Sequence, residues 1–265
     1  FFIAACASVL AVALICIFLF ANGLPAMKEI GFGKFLSGTL WRPKNNIFGI
    51  LPMIVGSLYV TAGAIIFGVP IGILTSVYMA HYCPKQIYRP LKMAPELLAG
   101  IPSVVYGFFG LVVLVPWIRN IAKSLQHAGI IRQSGNGNSI LTASLLLGMM
   151  ILPTIIGVTE SAIRAVPPQY YEGSLALGAT HERSIFRTVL PAAKSGILAG
   201  VVLGIGRAIG ETMAVIMVAG NQPRLTGSIF KGVRTLTANI VIEMGYAADL
   251  HREALIATGV VLFVF

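Results

Sequence analysis

The stretch YEGSLALGATHERSIFRTVLP, Tyr171–Pro191, decides how this chain is read. It is a polar insert between long apolar runs, so it belongs in water while its flanks do not. Within it Glu172 is followed by Gly178, and later by Leu190 and Pro191. The small Gly173 and Ser174 let another surface come close, and Pro191 interrupts a helix. An ordinary loop with a capping glutamate and a breaking proline would use the same residues, so the setting has to separate the two readings.

That setting is a membrane. The 265 residues are 57% hydrophobic and 11% charged, with a mean hydropathy of +0.87. A hydrocarbon layer of ~30 Å takes about twenty apolar residues of helix, and several runs reach that length. Lipid offers backbone groups no partner, so helices are the natural spanning form; the period-two alternation of a barrel is not seen. The expectation is an all-α polytopic membrane protein with six spans, near residues 1–21, 49–82, 94–117, 139–163, 194–219 and 254–265. Residues 1–48 hold the first span and an outer connection, and residues 49–265 form the core, with the insert inside the connection 164–193. The chain starts at Phe1 and stops at Phe265 inside an apolar run, which reads as trimming at both ends.

A formal charge of +10 would suggest nucleic acid for a soluble protein. Here the basic residues lie between spans, so lipid head groups or an anionic solute are the expected partners and nucleic acid is not. Their density is similar on both sides of the proposed spans, which leaves orientation open on charge alone. Cys6, Cys16 and Cys83 are an odd set, two of them in one apolar run. They read as small buried hydrophobes rather than a disulfide framework or a metal site, and no cofactor is expected.

Three intramembrane features bear on function. In AGIPSVVYGFFG, residues 99–110, Pro102 frees a backbone carbonyl that the Ser103 hydroxyl, a water or a solute could satisfy; a kink used for packing reads the same way. Glu160 and Arg164, four apart at the end of the fourth run, mark its exit from the membrane. The fifth run, KSGILAGVVLGIGRAIGETMAVIMVAGN at 194–221, carries Arg207 and Glu211. Read as one helix at about 100° per residue, it puts Gly196, Gly200, Gly204, Arg207 and Glu211 on one face. Glycine at every fourth position lets another helix approach. The two charges are costly in lipid and therefore face the bundle or a water-filled path. Either they neutralise each other as an i,i+4 pair, or Arg207 is a forked donor for an oxyanion while Glu211 holds Arg207 in place or accepts from a protonated oxyanion. Beyond the fifth run, Ala238–Tyr246 reads as a short half-inserted helix, and residues 118–138 as a polar connection ending in SGNGNS. GIGRAIG, residues 204–210, lacks both the preceding strand and the spacing of a dinucleotide loop, and GFGK at 31–34 is no Walker A loop. Hydrolysis of ATP would have to come from a partner, so the chain itself is not read as an enzyme.

With these residues in place, the insert resembles the EAA loop of ABC importer permeases. Glu172, Gly178, Leu190 and Pro191 keep that pattern, while Gly173 and Ser174 stand for its two alanines and Thr188 for its isoleucine. GRAIGETMAV at 206–215, AGIPSVVYG at 99–107 and LPTIIGVTESAIRAVP at 152–167 are similar to the PstC-type permeases of phosphate importers. The resemblance implies a six-span type I ABC importer transmembrane domain paired with a homologous PstA-type permease. It also implies a PstB-type ATPase dimer on the cytoplasmic side, a PstS-type phosphate-binding protein outside, and a link to a phosphate-sensing kinase pathway. By the same resemblance, Tyr171, Glu172, Gly173, Ser174, Gly178, Leu190 and Pro191 couple to the ATPase, and Arg207, Glu211 and Ser103 lie along the substrate path. Sulfate or molybdate in place of phosphate, or a sensing role with incidental transport, remain alternatives.

Overall fold

The computed structural model describes residues 1–131 and 135–265, so the start of the SGNGNS run, with Arg132, lies outside the described residues. Helix α1 spans Phe2–Ile30 and α2 Phe32–Ser37, followed by a short hairpin of β1 (Trp41–Arg42) and β2 (Ile47–Phe48). Next come α3 (Leu51–Tyr82, its last turn widened into a π turn), α4 (Lys85–Gly100), α5 (Ser103–His127) and α6 (Ile140–Arg164). The 164–193 connection contains α7 (Pro168–Ala176) and α8 (His181–Ala192). The remainder is α9 (Lys194–Gly210), α10 (Met213–Val218), α11 (Leu236–Met244) and α12 (Asp249–Val264). Among the described residues α1, α3, α5 and α6 are long and apolar enough to cross a membrane, and α8 with α9 adds a fifth candidate bent by 71°. The sixteen residues of α12 are shorter than those four.

The centre of the bundle is the seam between α3 and α6. It closes because glycines remove side chains at the contact: a Cβ built on Gly68 would lie 2.8 Å from Ile151 and 2.9 Å from the Gly148 carbonyl. Ser144 Oγ donates to the Val60 carbonyl at 3.2 Å across the same seam. Helix α9 also packs on α6, with Gly196 against Ala162, Gly200 against Thr159 and Gly204 against Ile155. At the end opposite the 164–193 connection, α1 and α12 pack together, Gly23 against Ala257 and Val260, over a core containing Phe35, Trp41, Phe48 and Leu255.

Several helix limits differ from those expected. Helix α1 runs past residue 21 to Ile30 because Ala26 and Met27 are buried there, and Asn22 Nδ2 satisfies itself on the Phe18 carbonyl at 2.8 Å. The segment expected as a loop at 83–92 is the first part of α4, which has apolar Ile87, Met93, Leu97 and Leu98 as well as Lys85, Arg89, Lys92 and Glu96, and buries none of its residues. The third run does not cross as 94–117. It breaks at Ile101, in extended backbone with ψ 128°, and restarts at Ser103, since a proline pushes the residue before it out of the helical region. Pro102 therefore ends one helix and starts another. The fifth run is broken as well: α9 ends at Gly210, Glu211 is extended with ψ 133°, and α10 begins two residues later.

Candidate functional site

Two places in the fold bring the singled-out residues together. The first is the 164–193 connection. Pro167, at φ −56° and ψ 136°, starts α7, which carries Tyr171 to Ser174. Gly178 ends the following turn at φ +84°, the left-handed region where only glycine sits without strain, and its N–H reaches the Leu175 carbonyl at 2.9 Å. The chain then reverses into α8, opened by Thr180, whose Oγ1 accepts from the Arg183 N–H at 3.3 Å. Ser174 Oγ accepts from Ser184 Oγ at 3.0 Å and from Thr188 Oγ1 at 3.4 Å, so α7 is fastened to α8 from within. Tyr171 packs with Leu190 over Val77, Ile163, Ile185 and Val189, and its hydroxyl meets His181 Nδ1.

Among the described residues nothing covers the opposite face of this hairpin. Glu172, Gly173 and Gly178 are exposed, as are Tyr170, Leu175 and Phe186, and Leu177 is 91% exposed. A Cβ built on Gly173 or Gly178 would meet no atom within 4 Å. The two departures from the EAA alanines therefore differ in kind: Gly173 faces outward, whereas Ser174 spends its hydroxyl on the hairpin's own bonds. Pro191, exposed, sits just before the 71° bend into α9.

Where the hairpin leaves α6, Glu160 and Arg164 do form an ion pair, at 2.6 Å. They do more than mark an exit. Glu160 is 3% exposed and also accepts from the Tyr88 hydroxyl at 2.5 Å, and Arg164 Nη2 donates to the Met79 carbonyl at 2.9 Å. The pair ties α4 and the end of α3 to α6. Lys92 on α4 is held charged, its pKa raised first by the hydrogen bond to Tyr88 and then by Glu160.

The second place is the pair of helix breaks. Arg207 lies one turn before the break at Glu211, exposed, and no hydrogen bond or ion pair within this chain engages it among the described residues. Glu211 does not pair with it. The Glu211 carboxylate turns forward, Oε1 accepting from the Ala214 N–H at 3.2 Å, and so caps the first turn of α10. The i,i+4 geometry needed a continuous helix, and the break removes it. The glycine face of α9 is occupied by α6, leaving Arg207 beside that contact rather than in it. Ser103, half-buried, begins α5 at the other break, and α10 packs on this first turn, with Gly107 against Ala214 and Met217. One residue that the sequence reading missed completes the arrangement: Thr237 at the start of α11 donates from Oγ1 to the Glu211 carbonyl at 3.1 Å. Its signal, a threonine two residues into a helix, is too common to single out.

Residues 68–265 match the binding-protein-dependent transport system inner membrane components. The chain belongs to that family. A relative 38% identical over 260 residues, covering 94% of this chain and 79% of its own, is the phosphate transport system permease protein PstC of Mesorhizobium japonicum. Another, 38% identical over 270 residues and covering 99% of this chain and 84% of its own, is the probable ABC transporter permease protein YqgH of Bacillus subtilis. Among solved structures, a bacterial ABC transporter involved in the import of alginate aligns with a TM-score of 0.63 at 17% identity, over 99% of this chain and 92% of its own. That likeness concerns the fold, which is the type I ABC importer transmembrane domain. This inner-membrane permease is thus an all-α component of a transporter rather than an enzyme.

Proposed function

We propose that this permease subunit carries inorganic phosphate inward across the cytoplasmic membrane, driven by ATP hydrolysis on a separate subunit. The observation that carries the reading is Arg207: a guanidinium within a membrane-spanning segment, exposed at a helix break and engaged by no hydrogen bond or ion pair among the described residues. A charge in that position is expensive unless something pairs with it, and a planar fork of donors suits a tetrahedral oxyanion. The PstC name of the Mesorhizobium relative supports phosphate as that oxyanion. Residues 49–265 form the permease core in this reading, with residues 1–48 as first span and outer loop.

The uncovered side of the α7–α8 hairpin is the seat of a PstB-type ATPase dimer, with Glu172, Gly173 and Gly178 toward it and Leu177 as an apolar plug. Ser174, Tyr171, Leu190 and Pro191 hold the hairpin in shape. A PstA-type permease faces Arg207, Glu211 and Ser103 across the path, and a PstS-type protein delivers phosphate outside; a phosphate-sensing kinase pathway reads the complex. Direction requires this coupling. Moving an anion into a negative-inside cell costs ~2.3 kcal/mol per charge per 100 mV, so a passive pore would leak phosphate outward.

The deciding experiment is [32P]phosphate uptake in cells lacking their own permease, complemented with wild type or Arg207→Gln, with sulfate and molybdate as competitors. Uptake by wild type that sulfate does not compete, lost in Arg207→Gln at equal protein level, is the expected result. Preferential competition by sulfate or molybdate would overturn phosphate as the substrate. Unchanged uptake in the variant would remove Arg207 from the path.

A further inference from the structure

At the end opposite the coupling hairpin, one buried carboxylate collects three donors from three parts of the chain. Glu243, on the last turn of α11, is 6% exposed. Its Oε2 accepts from Trp41 Nε1 of the hairpin at 2.7 Å and lies 2.9 Å from His251 Nε2 on α12. Its Oε1 accepts from Arg234 Nη1 at 2.5 Å, and the same Nη1 donates to Asn239 Oδ1 at 3.1 Å. Arg234 Nε also donates to the Asn221 carbonyl at 3.2 Å, just past α10. Rings close the cluster, Phe48 stacked on His251 and Trp41 edge-on to Phe48.

The other end of α11 is the one that touches the break. Its entry is nailed to α3, where the Leu236 N–H donates to Ser57 Oγ at 3.0 Å and the Arg234 carbonyl leaves no room for a side chain on Gly56. Thr237 Oγ1 then donates to the Glu211 carbonyl. Were α9 continuous, that carbonyl would accept from the N–H four residues on; in the break it needs another donor, and Thr237 supplies it. Helix α11 is therefore a short strut: Glu243 fixes one end and the other props open the interruption beside Arg207.

We infer that Glu243 is a positioning residue for the translocation path, acting through α11 and the Thr237 hydroxyl on the α9–α10 break that presents Arg207. The inference rests on the phosphate-import reading. A carboxylate paired for fold stability alone would not need its helix to end on the break. Because the binding protein sets the concentration at which transport saturates, a displaced strut slows translocation without changing that concentration.

The test is a double-mutant cycle in the uptake assay, with Glu243→Gln and Thr237→Val singly and together and assembled complex quantified by co-purification of the ATPase. Each single change is expected to lower maximal uptake by about fivefold or more with unchanged half-saturation. The double variant should be no worse than the poorer single one. The two positions are about 9 Å apart along the helix, a distance at which unrelated sites add. Multiplicative losses, or normal uptake in Glu243→Gln, would overturn the inference. If Glu243→Gln fails to assemble, Trp41→Phe, which removes one donor and keeps the ring, takes its place in the cycle under the same criteria. Wild-type cells that take up no phosphate would instead refute the reading beneath it.

Discussion

The two helix breaks look alike and have different causes. At Ile101–Pro102 the cause is local: the proline ring disfavours helical backbone at the residue before it and has no N–H to give, and α4 and α5 separate there. At Glu211–Thr212 there is no proline. The flanking sequence, GRAIGETMAV, reads as ordinary membrane helix, and the backbone leaves the helix where α11 supplies a hydroxyl for one carbonyl and Glu211 caps the next helix. Pro70 and Pro153 complete the contrast, since both lie inside continuous helices, α3 and α6. A proline permits a break, but whether one opens depends on what can satisfy the freed groups, and a well-placed donor can open one without it.

This comparison can be broken experimentally, and the strongest handle is Arg207. If the Glu211 break exists to present an unpaired guanidinium, Arg207→Gln should cut phosphate uptake by about tenfold to a hundredfold, the size of a lost charged hydrogen bond of ~1.5–3 kcal/mol. Uptake within a factor of two of wild type would make the break a packing feature. Arg207→Lys sharpens the point: it keeps the charge and loses the fork, so an intermediate loss measured in the same assay is expected.

The α7–α8 hairpin offers a second contrast, between two exposed glycines with open space around them. Gly178→Ala forces a side chain into φ +84° and should cost about 1–2 kcal/mol locally, weakening ATPase co-purification several-fold. Gly173→Ala, in ordinary helix, restores the alanine of the EAA pattern and should leave assembly intact. Equal effects at both would mean the partner's groove, not the backbone, decides.

A smaller effect is expected at the local break. Pro102→Ala restores an N–H and lets residue 101 relax toward helix, which should lower uptake by about threefold while the complex assembles normally. The smallest belongs to Pro70→Ala, inside a helix that is already continuous, where uptake should stay within error. A loss larger than that of Pro102→Ala would reverse the assignment of which proline matters.

By itself the sequence determined the membrane class, the α-helical form, the glycine face of α9 and the polar insert between Tyr171 and Pro191. Each is written in composition, in periodicity or in a short motif whose residues interact locally. The same holds for Glu160 and Arg164, one turn apart on α6, although their grip on Tyr88 and Met79 was not legible. The tertiary structure alone decided that α1 continues to Ile30, that Arg207 and Glu211 part company, and that Thr237 and Glu243 matter. The first follows from burial of Ala26 and Met27 against the rest of the fold, and the others depend on donors tens to hundreds of positions away, Thr237 for Glu211 and Trp41 for Glu243, which no local pattern announces. Where lipid or burial denies a polar group water, its partner decides the backbone, and only the folded chain says which partner arrives.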